Sequence, residues 1–410
     1  MQTQDAASAD GTELMDFPVK RQCPFDPARE LIDVQGGPRV QRVRIWNGTS
    51  PWLVTGFDLV RQALSDPKIS ADTDNPAYPP VYAGYAARRK RVKTFLNMDD
   101  PRHIEMRRYV TQDFTVRRAE ALRPKIQEIV DGLIDDMLAA GSSADLVEAF
   151  ALPLPSRVIC EILGVPYEDR GVFLSLSKKM SNGNTPPAEA LEALEAMLDY
   201  LGQLVDRRAA DPSADMTSRL VEQHVRTGDL TRDELVGTLW MLLAGGHETT
   251  TNMISLGTAV LLLNPDILRE LQTTDDREVI ARSVEELLRY LTILHLGRRR
   301  VAREDTEIGG QRIAAGEGLI IAHETANRDP EMFPNPDVID IHRNAVRQHL
   351  AFGYGGHQCL GQSLARVELQ VVNSTLYRRV PSMTLAARVE DLRFKEANSV
   401  YGLEELPIAW

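Results

Sequence analysis

Cysteine is scarce: the chain has three in 410 residues, Cys23, Cys160 and Cys359, an odd number spread far apart. This usage predicts no disulfide framework and a reducing, cytoplasmic home. Long apolar runs are missing too, since the stretches 239–246 and 259–263 fall well short of a membrane span. Residues 1–17 are polar and acidic, with no apolar segment behind a basic start, so neither a signal peptide nor a membrane anchor is expected. Positive charge is not in excess: 47 Lys and Arg stand against 59 Asp and Glu, a formal net charge of −12, which argues against sequence-independent nucleic-acid binding. No Ser/Gly-rich or Pro-rich linker, repeat or low-complexity segment divides the chain. A polar tail at 1–16 and one elaborated domain at 17–410 are therefore expected.

The text is mainly helical. From residue 56 to about 265 apolar residues recur at three and four spacings, as at Ile126, Ile129, Val130, Leu133 and Met137. Pro153, Pro155, Pro166, Pro186 and Pro187 mark boundaries between helices. Strand patterns are minor: 40–46 and 52–54, joined through the turn signal Asn47-Gly48, then 308–322 and the tail after Leu385. The fold class predicted is mainly α with minor β.

Phe352-Gly353-Tyr354-Gly355-Gly356-His357-Gln358-Cys359-Leu360-Gly361 sets a cysteine in a glycine-rich loop that runs into the helical pattern Ser363-Leu364-Ala365-Arg366-Val367-Glu368-Leu369. Unpaired N–H groups and the positive dipole end at a helix start favour the thiolate form. A thiolate there is a metal ligand or a nucleophile, whereas a free cysteine elsewhere is most often a buried apolar residue. Glycines let backbone amides turn toward the sulfur and let a large flat group approach. The string resembles the haem-binding loop of the cytochromes P450, Phe-Gly-x-Gly-x-His-x-Cys-x-Gly, with every fixed position filled. The resemblance implies the P450 fold, haem b as cofactor and Cys359 as axial ligand to its iron.

A second stretch, Leu242-Leu243-Ala244-Gly245-Gly246-His247-Glu248-Thr249-Thr250-Thr251-Asn252, lies within a helical run at 231–263. Glycine costs about 1 kcal/mol relative to alanine in a helix, and threonine can bond its hydroxyl to a carbonyl one turn back, so a bulge or kink is expected. Alone, the stretch is equally a polar patch on an amphipathic helix. By resemblance it crosses the distal haem face, Gly245 and Gly246 leave room for oxygen, and Glu248 and Thr249 are catalytic residues that manage protons.

Glu286-Leu287-Leu288-Arg289 is by itself an ordinary surface pair on one helix face. The resembling family has a Glu-x-x-Arg at this place and a third partner in an Asp-x-x-Arg segment, here Asp340-Ile341-His342-Arg343, with Ile339 where phenylalanine is frequent. The resemblance implies a structural network of Glu286, Arg289 and Arg343. For the two haem propionates it points to His103 and Arg107, four apart after an Asp-Asp-Pro turn, to Arg300, for which Arg298 and Arg299 compete, and to His357. Phe352, Gly246 and Gly361 complete the cofactor-binding set.

For the substrate the resemblance implies that 78–96, 173–187, 292–296 and the tail turn cover the pocket, with Leu96, Leu243, Ala244, Ile293, Leu294, Leu296, Ser399 and Val400 on its wall. Apolar side chains there suit a hydrophobic organic substrate. The basic run Arg88-Arg89-Lys90-Arg91-Val92-Lys93 reads as a solvated loop, ahead of an anion or nucleotide site. The function expected is a monomeric monooxygenase that inserts one atom of dioxygen by hydroxylation or epoxidation. With no flavin or ferredoxin segment in the text, electrons are expected from a ferredoxin and its NAD(P)H-dependent reductase, docking near Cys359, where Arg366 is a candidate contact. Two alternatives are nitric oxide reduction with electrons taken directly from NADH, and a non-catalytic haem protein that binds a gas; neither membrane nor nucleic acid is an expected partner.

Overall fold

Helices fill the middle of the chain, as the three-and-four spacing requires. In the computed structural model, which describes residues 14–344 and 346–410, those that build the site are α1 (Arg102–Thr111), α2 (Val116–Ala140), α3 (Pro153–Leu163), α4 (Arg170–Ser181), α5 (Pro187–Ala210), α6 (Arg232–Leu262), α7 (Arg277–Leu291) and α8 (Gln362–Arg379). Prolines do start α3 and α5, where a missing N–H costs nothing. The longest helix, α6, begins with a capping box: the Glu234 N–H donates to the Thr231 hydroxyl while the Glu234 carboxylate accepts from the Thr231 N–H. Thirty-one residues carry it roughly 46 Å through the core, and nearly all of its second half is buried. The expected bulge is not there. The helix is unbroken although the threonine hydroxyls do bond back one turn, Thr249 to the Gly245 carbonyl and Thr251 to the His247 carbonyl, each at 2.7 Å.

One apolar core joins α2, α3, α5, α6, α7 and α8. Beside it stands a five-stranded sheet of β1 (Val40–Arg42), β2 (Trp52–Val54), β3 (Ile69–Ser70), β4 (Arg298–Ala302) and β5 (Gly318–Ile321), in the order β1-β2-β5-β4-β3. The central strand β5 is wholly buried and pairs antiparallel to β4, Leu319 facing Arg300 and Ile321 facing Arg298. The first hairpin turns at Gly48, whose φ of 82° suits a residue without a side chain. Asp16 and Phe17 already pair in parallel with Arg44 and Ile45, so the engaged chain starts within the expected 1–16 tail; residues 1–13 of that tail lie outside the described residues. Among the described residues no helix is long and apolar enough to cross a membrane.

Candidate active site

The cysteine loop is pinned at both ends. The Cys359 N–H donates to the Phe352 carbonyl at 2.8 Å, and Gly353 and Gly355 turn the chain with φ of 75° and 72°. A side chain at Gly355 would meet the Leu64 carbonyl at 2.7 Å, so only glycine fits. Helix α8 begins three residues after the sulfur. Burial pushes the Cys359 thiol up, against the Gly361 N–H and the charges of Arg298, Arg107 and Arg366 that pull it down. In the protein alone, then, burial outweighs the thiolate-favouring helix start.

Cys359 lines a cavity with about 1200 Å³ of space free of protein atoms, part of it open to solvent. One part of its wall is a stripe of α6, Leu242, Gly245, Gly246, Thr249 and Met253, at the three-and-four spacing of one helix face. Its sides come from Phe95, Leu96, Ile293 and Leu294. Three of the expected wall residues, Leu96, Ile293 and Leu294, are therefore present. Leu243 and Ala244 are not, because the helix turns their neighbours Met241 and Leu242 inward; Leu243 is packed in the core instead. Leu296, Ser399 and Val400 also stay off this wall. The tail turn is held elsewhere, by the Tyr401 N–H on the Ile293 carbonyl and the Ser399 N–H on the Ser181 carbonyl.

The two glycines of α6 differ. A side chain at Gly245 would meet nothing within 4 Å, whereas one at Gly246 would strike Ile159 of α3 at 2.7 Å. Gly245 leaves the space and Gly246 allows the helices to touch. Thr249 faces the cavity, but Glu248 does not. It lines a second, more polar cavity behind α6 with about 930 Å³ free of protein atoms, together with Ser177, Ser181, His247, Lys395 and Asn398. Burial raises the Glu248 carboxyl above its ordinary value against the Lys395 charge, and burial lowers the Lys395 ammonium against the Glu248 charge.

At one edge of the first cavity gather His103, Arg107, Arg298, Arg300 and His357. His103 is fixed by Asp100 at 2.9 Å and stacks on His357 with centroids 4.0 Å apart; Arg107 donates to the Gln358 carbonyl at 2.6 Å. Nε2 of His103 and Nδ1 of His357 are buried with no partner among the described residues. Burial, with the charges of Arg300, His103, Arg298 and Arg107, holds His357 down at about 2. Of the three neighbouring arginines Arg298 lines the cavity; Arg300 shares its strand face two residues on, and Arg299 points the other way, over Phe17. Arg298 thus stands at the cavity wall, and the charge of Arg300, the expected propionate partner, acts on His357 beside it. Among the described residues no group of three or more His, Cys, Asp or Glu could hold a metal, so an ion on Cys359 needs its other ligands from a group that is not protein. A dianionic flat macrocycle fits: Gly361 presents no side chain and has open space within 4 Å of where one would be, and the unpartnered imidazole nitrogens and Arg298 stand at the edge.

The loop rests on two buried networks. Glu286 accepts from Nε and Nη2 of Arg289, both at 2.8 Å, from Nε of Arg343 at 3.2 Å and from the Asp340 N–H at 2.9 Å. The second has no spacing signal in the sequence: Glu285 takes His349 at 2.9 Å and Arg366 at 2.6 Å, and the Arg366 guanidinium lies 4.5 Å above the Phe352 ring. Arg366, the candidate docking contact, is thus bonded within the protein while a quarter of its side chain stays exposed. Nor is the basic run solvated throughout. Arg88 is buried and donates to the Met180 carbonyl at 2.8 Å, Arg91 pairs with Glu195, and Lys93 pairs with Asp74.

Residues 188–380 match the family model described as Cytochrome P450. The chain is 48% identical over 398 residues to Cytochrome P450 GfsF of Streptomyces halstedii, covering 96% of each chain. It is 44% identical over 394 residues to pentalenic acid synthase of Streptomyces avermitilis, covering 96% of this chain and 97% of that one. The crystal structure of GfsF superposes with a TM-score of 0.90 over 97% of this chain and 100% of that one, at 47% identity. MycCI, the mycinamicin VIII C21 methyl hydroxylase of Micromonospora griseorubida solved with mycinamicin VIII bound, also gives a TM-score of 0.90 over 97% and 100%, at 35% identity.

Proposed function

The chain belongs to the cytochrome P450 family of haem-thiolate monooxygenases, and on that premise we propose that its cavity holds haem b on Cys359 and oxidises a large hydrophobic organic molecule by hydroxylation or epoxidation. The observation that carries the reading is that Cys359 and Thr249 line one and the same apolar cavity. Bound haem supplies the iron that takes up and reduces dioxygen. The protein does the rest. His103, Arg107, Arg298, Arg300 and His357 would hold the propionates, and Phe352 and Gly361, which line the cavity with Cys359, would leave room for the ring. With an ion bound there, Cys359 would be held as the thiolate, against the upward push of burial.

Proton delivery is assigned to two residues on different faces of α6. The Thr249 hydroxyl, hydrogen-bonded to the Gly245 carbonyl, lines the cavity and would stand where bound oxygen needs a donor. Glu248 takes protons from the polar cavity behind the helix, where Lys395 faces it, and its carboxyl carries them toward the Thr249 Oγ1. The apolar sides, Phe95, Leu96, Ile293 and Leu294, keep bulk water out and hold the substrate. MycCI is a methyl hydroxylase of mycinamicin VIII, and a large natural product with an accessible C–H bond is the substrate class proposed here.

Electrons come from a separate redox protein, proposed to be a ferredoxin with its NAD(P)H-dependent reductase. Exposed Arg108, Arg117 and Arg118 lie on α1 and the start of α2, next to the loop that Arg107 touches. We further propose a single domain over 17–410, a monomer, working in the cytoplasm. Nitric oxide reduction loses its support, because Arg88, Arg91 and Lys93 are bonded within the protein. The test is turnover with ferredoxin, reductase, NAD(P)H and isotope-labelled dioxygen, on natural products first selected by a low-to-high-spin shift. One labelled oxygen atom in the product is expected; NADH oxidation driven by nitric oxide without partner proteins would overturn the assignment.

A further inference from the structure

His323 follows directly on β5 and opens a short helix, His323–Ala326. It is completely buried, and among the described residues neither Nδ1 nor Nε2 has a hydrogen-bond partner. The Ile321 carbonyl is close enough to favour a proton on the ring but is out of hydrogen-bond geometry. The other buried histidines among the described residues are all bonded: His247 to the Leu243 carbonyl, His295 to the Asn398 carbonyl, His349 to Glu285 and His103 to Asp100. An imidazole buried without a partner loses its bonds to water and receives nothing in return, so a partner outside the chain is indicated.

The surroundings say what kind of partner. Ile321 faces Arg298 across the strand pair, which places His323 just beyond the end of β4, and the charges of Arg298 and Arg300 both act on the ring. A side chain at Gly353, in the cysteine loop, would lie 3.9 Å from Nε2. The nearest acid in sequence, Glu324, is taken by Arg21 at 2.7 Å. The Asp99 charge acts on Arg300, but among the described residues no carboxylate is ion-paired with Arg298 or Arg300 or bonded to the imidazole, and that arrangement suits a carboxylate brought by a ligand.

We propose that His323 is a third histidine at the propionate edge, donating from its ring to the haem carboxylate that Arg298 holds, directly or through one water. This rests on the reading that the Cys359 cavity holds haem b. His323 acts on cofactor retention and is not a catalytic residue. His323→Leu keeps much of the volume and removes the donor, and His323→Gln keeps a donor.

The experiment loads wild type and both variants with haem b or with haem dimethyl ester, whose carboxylates are blocked, and follows haem loss to excess apomyoglobin. The expected result is roughly ten- to a hundredfold faster loss of haem b from His323→Leu, the range of a hydrogen bond to a charged group, with His323→Gln close to wild type. With the dimethyl ester the three proteins should lose haem equally. In the absence of haem, His323→Leu should melt no lower than wild type, since the imidazole it replaces is unbonded there. Equal loss of haem b, or the same acceleration with the ester, overturns the inference while leaving the haem assignment intact. A wild type that takes up no haem overturns both.

Discussion

Two buried clusters of arginine with acid or histidine stand on either side of the cysteine loop, and they differ in one respect. Around Glu286 every charge is answered: Arg289 also donates to the Asn327 and Pro336 carbonyls, and Arg343 to those of Pro334, Asn335 and Val338. Around His103, Arg298, His323 and His357 donors outnumber acceptors, and ring nitrogens are left over. The first cluster is complete as protein and serves as scaffold; the second is left open, as the proposed ligand requires. Residue types alone do not separate them, because the difference lies in the count of acceptors within reach.

The contrast can be broken hardest at the sulfur. Cys359→His should abolish the strongly red-shifted Soret band of the reduced carbonyl complex even where haem is retained, and a variant with the original spectrum would refute the ligand assignment. Next comes the complete cluster. Glu286→Ala strands two guanidinium groups in the interior, which should cost about 3–5 kcal/mol and show as lost haem or lost soluble protein; a haem-loaded variant melting with wild type would make the cluster superficial. Thr249→Ala should leave consumption of NAD(P)H running while product per reduced cofactor drops and hydrogen peroxide rises, and Glu248→Gln should slow turnover. Unchanged coupling in Thr249→Ala would return Thr249 to a mere helix residue.

Glu285 sharpens the comparison through pH. Burial alone would raise its carboxyl, but His349 and Arg366 hold it at about 2 against an ordinary 4.5. A carboxyl lowered in the folded protein stabilises above its unfolded value and loses that contribution as the pH falls from 4.5 toward 2. The melting-temperature gap between wild type and Glu285→Gln should therefore be constant above 4.5 and close below it; a gap that persists in acid would count against the network. The smallest effects belong to the glycine pair. Gly246→Ala should lower stability by about 1–3 kcal/mol through the clash with Ile159, and Gly245→Ala should raise it by up to about 1 kcal/mol. Melting curves showing the reverse order would sink the division of roles.

Much of the fold and site is legible in the sequence. The loop around Cys359, the Glu286 and Arg289 spacing and the Asn47-Gly48 hairpin are local patterns, and local chemistry dictates local conformation. The misses share a different cause. Leu243 and Ala244 are expected on the cavity wall and lie off it, since a helix turns about 100° per residue and only packing against α3 and α7 sets its rotation. Alternation along the strand of Arg298, Arg299 and Arg300 is certain, but which of them lines the cavity depends on pairing with β5. Glu248 and Thr249 are neighbours in sequence yet line different cavities, because consecutive helix positions do not share a face. The Glu285, His349 and Arg366 network, and His323 itself, join segments tens of residues apart and leave no spacing to read.

Composition and spacing alone establish that this chain is mainly helical, that Cys359 sits in a loop suited to presenting sulfur to a flat cofactor, and that an acid and an alcohol lie in the middle of a long helix. Those features follow from bonding and steric preferences within a few residues. Three others come only with the packed fold: which arginine reaches the cavity, that Thr249 and Glu248 look into different cavities, and that His323 is left without a partner among the described residues. Each depends on how one element is rotated or registered against another, which is settled when the apolar faces of distant segments pack together and leave some polar groups satisfied and others open.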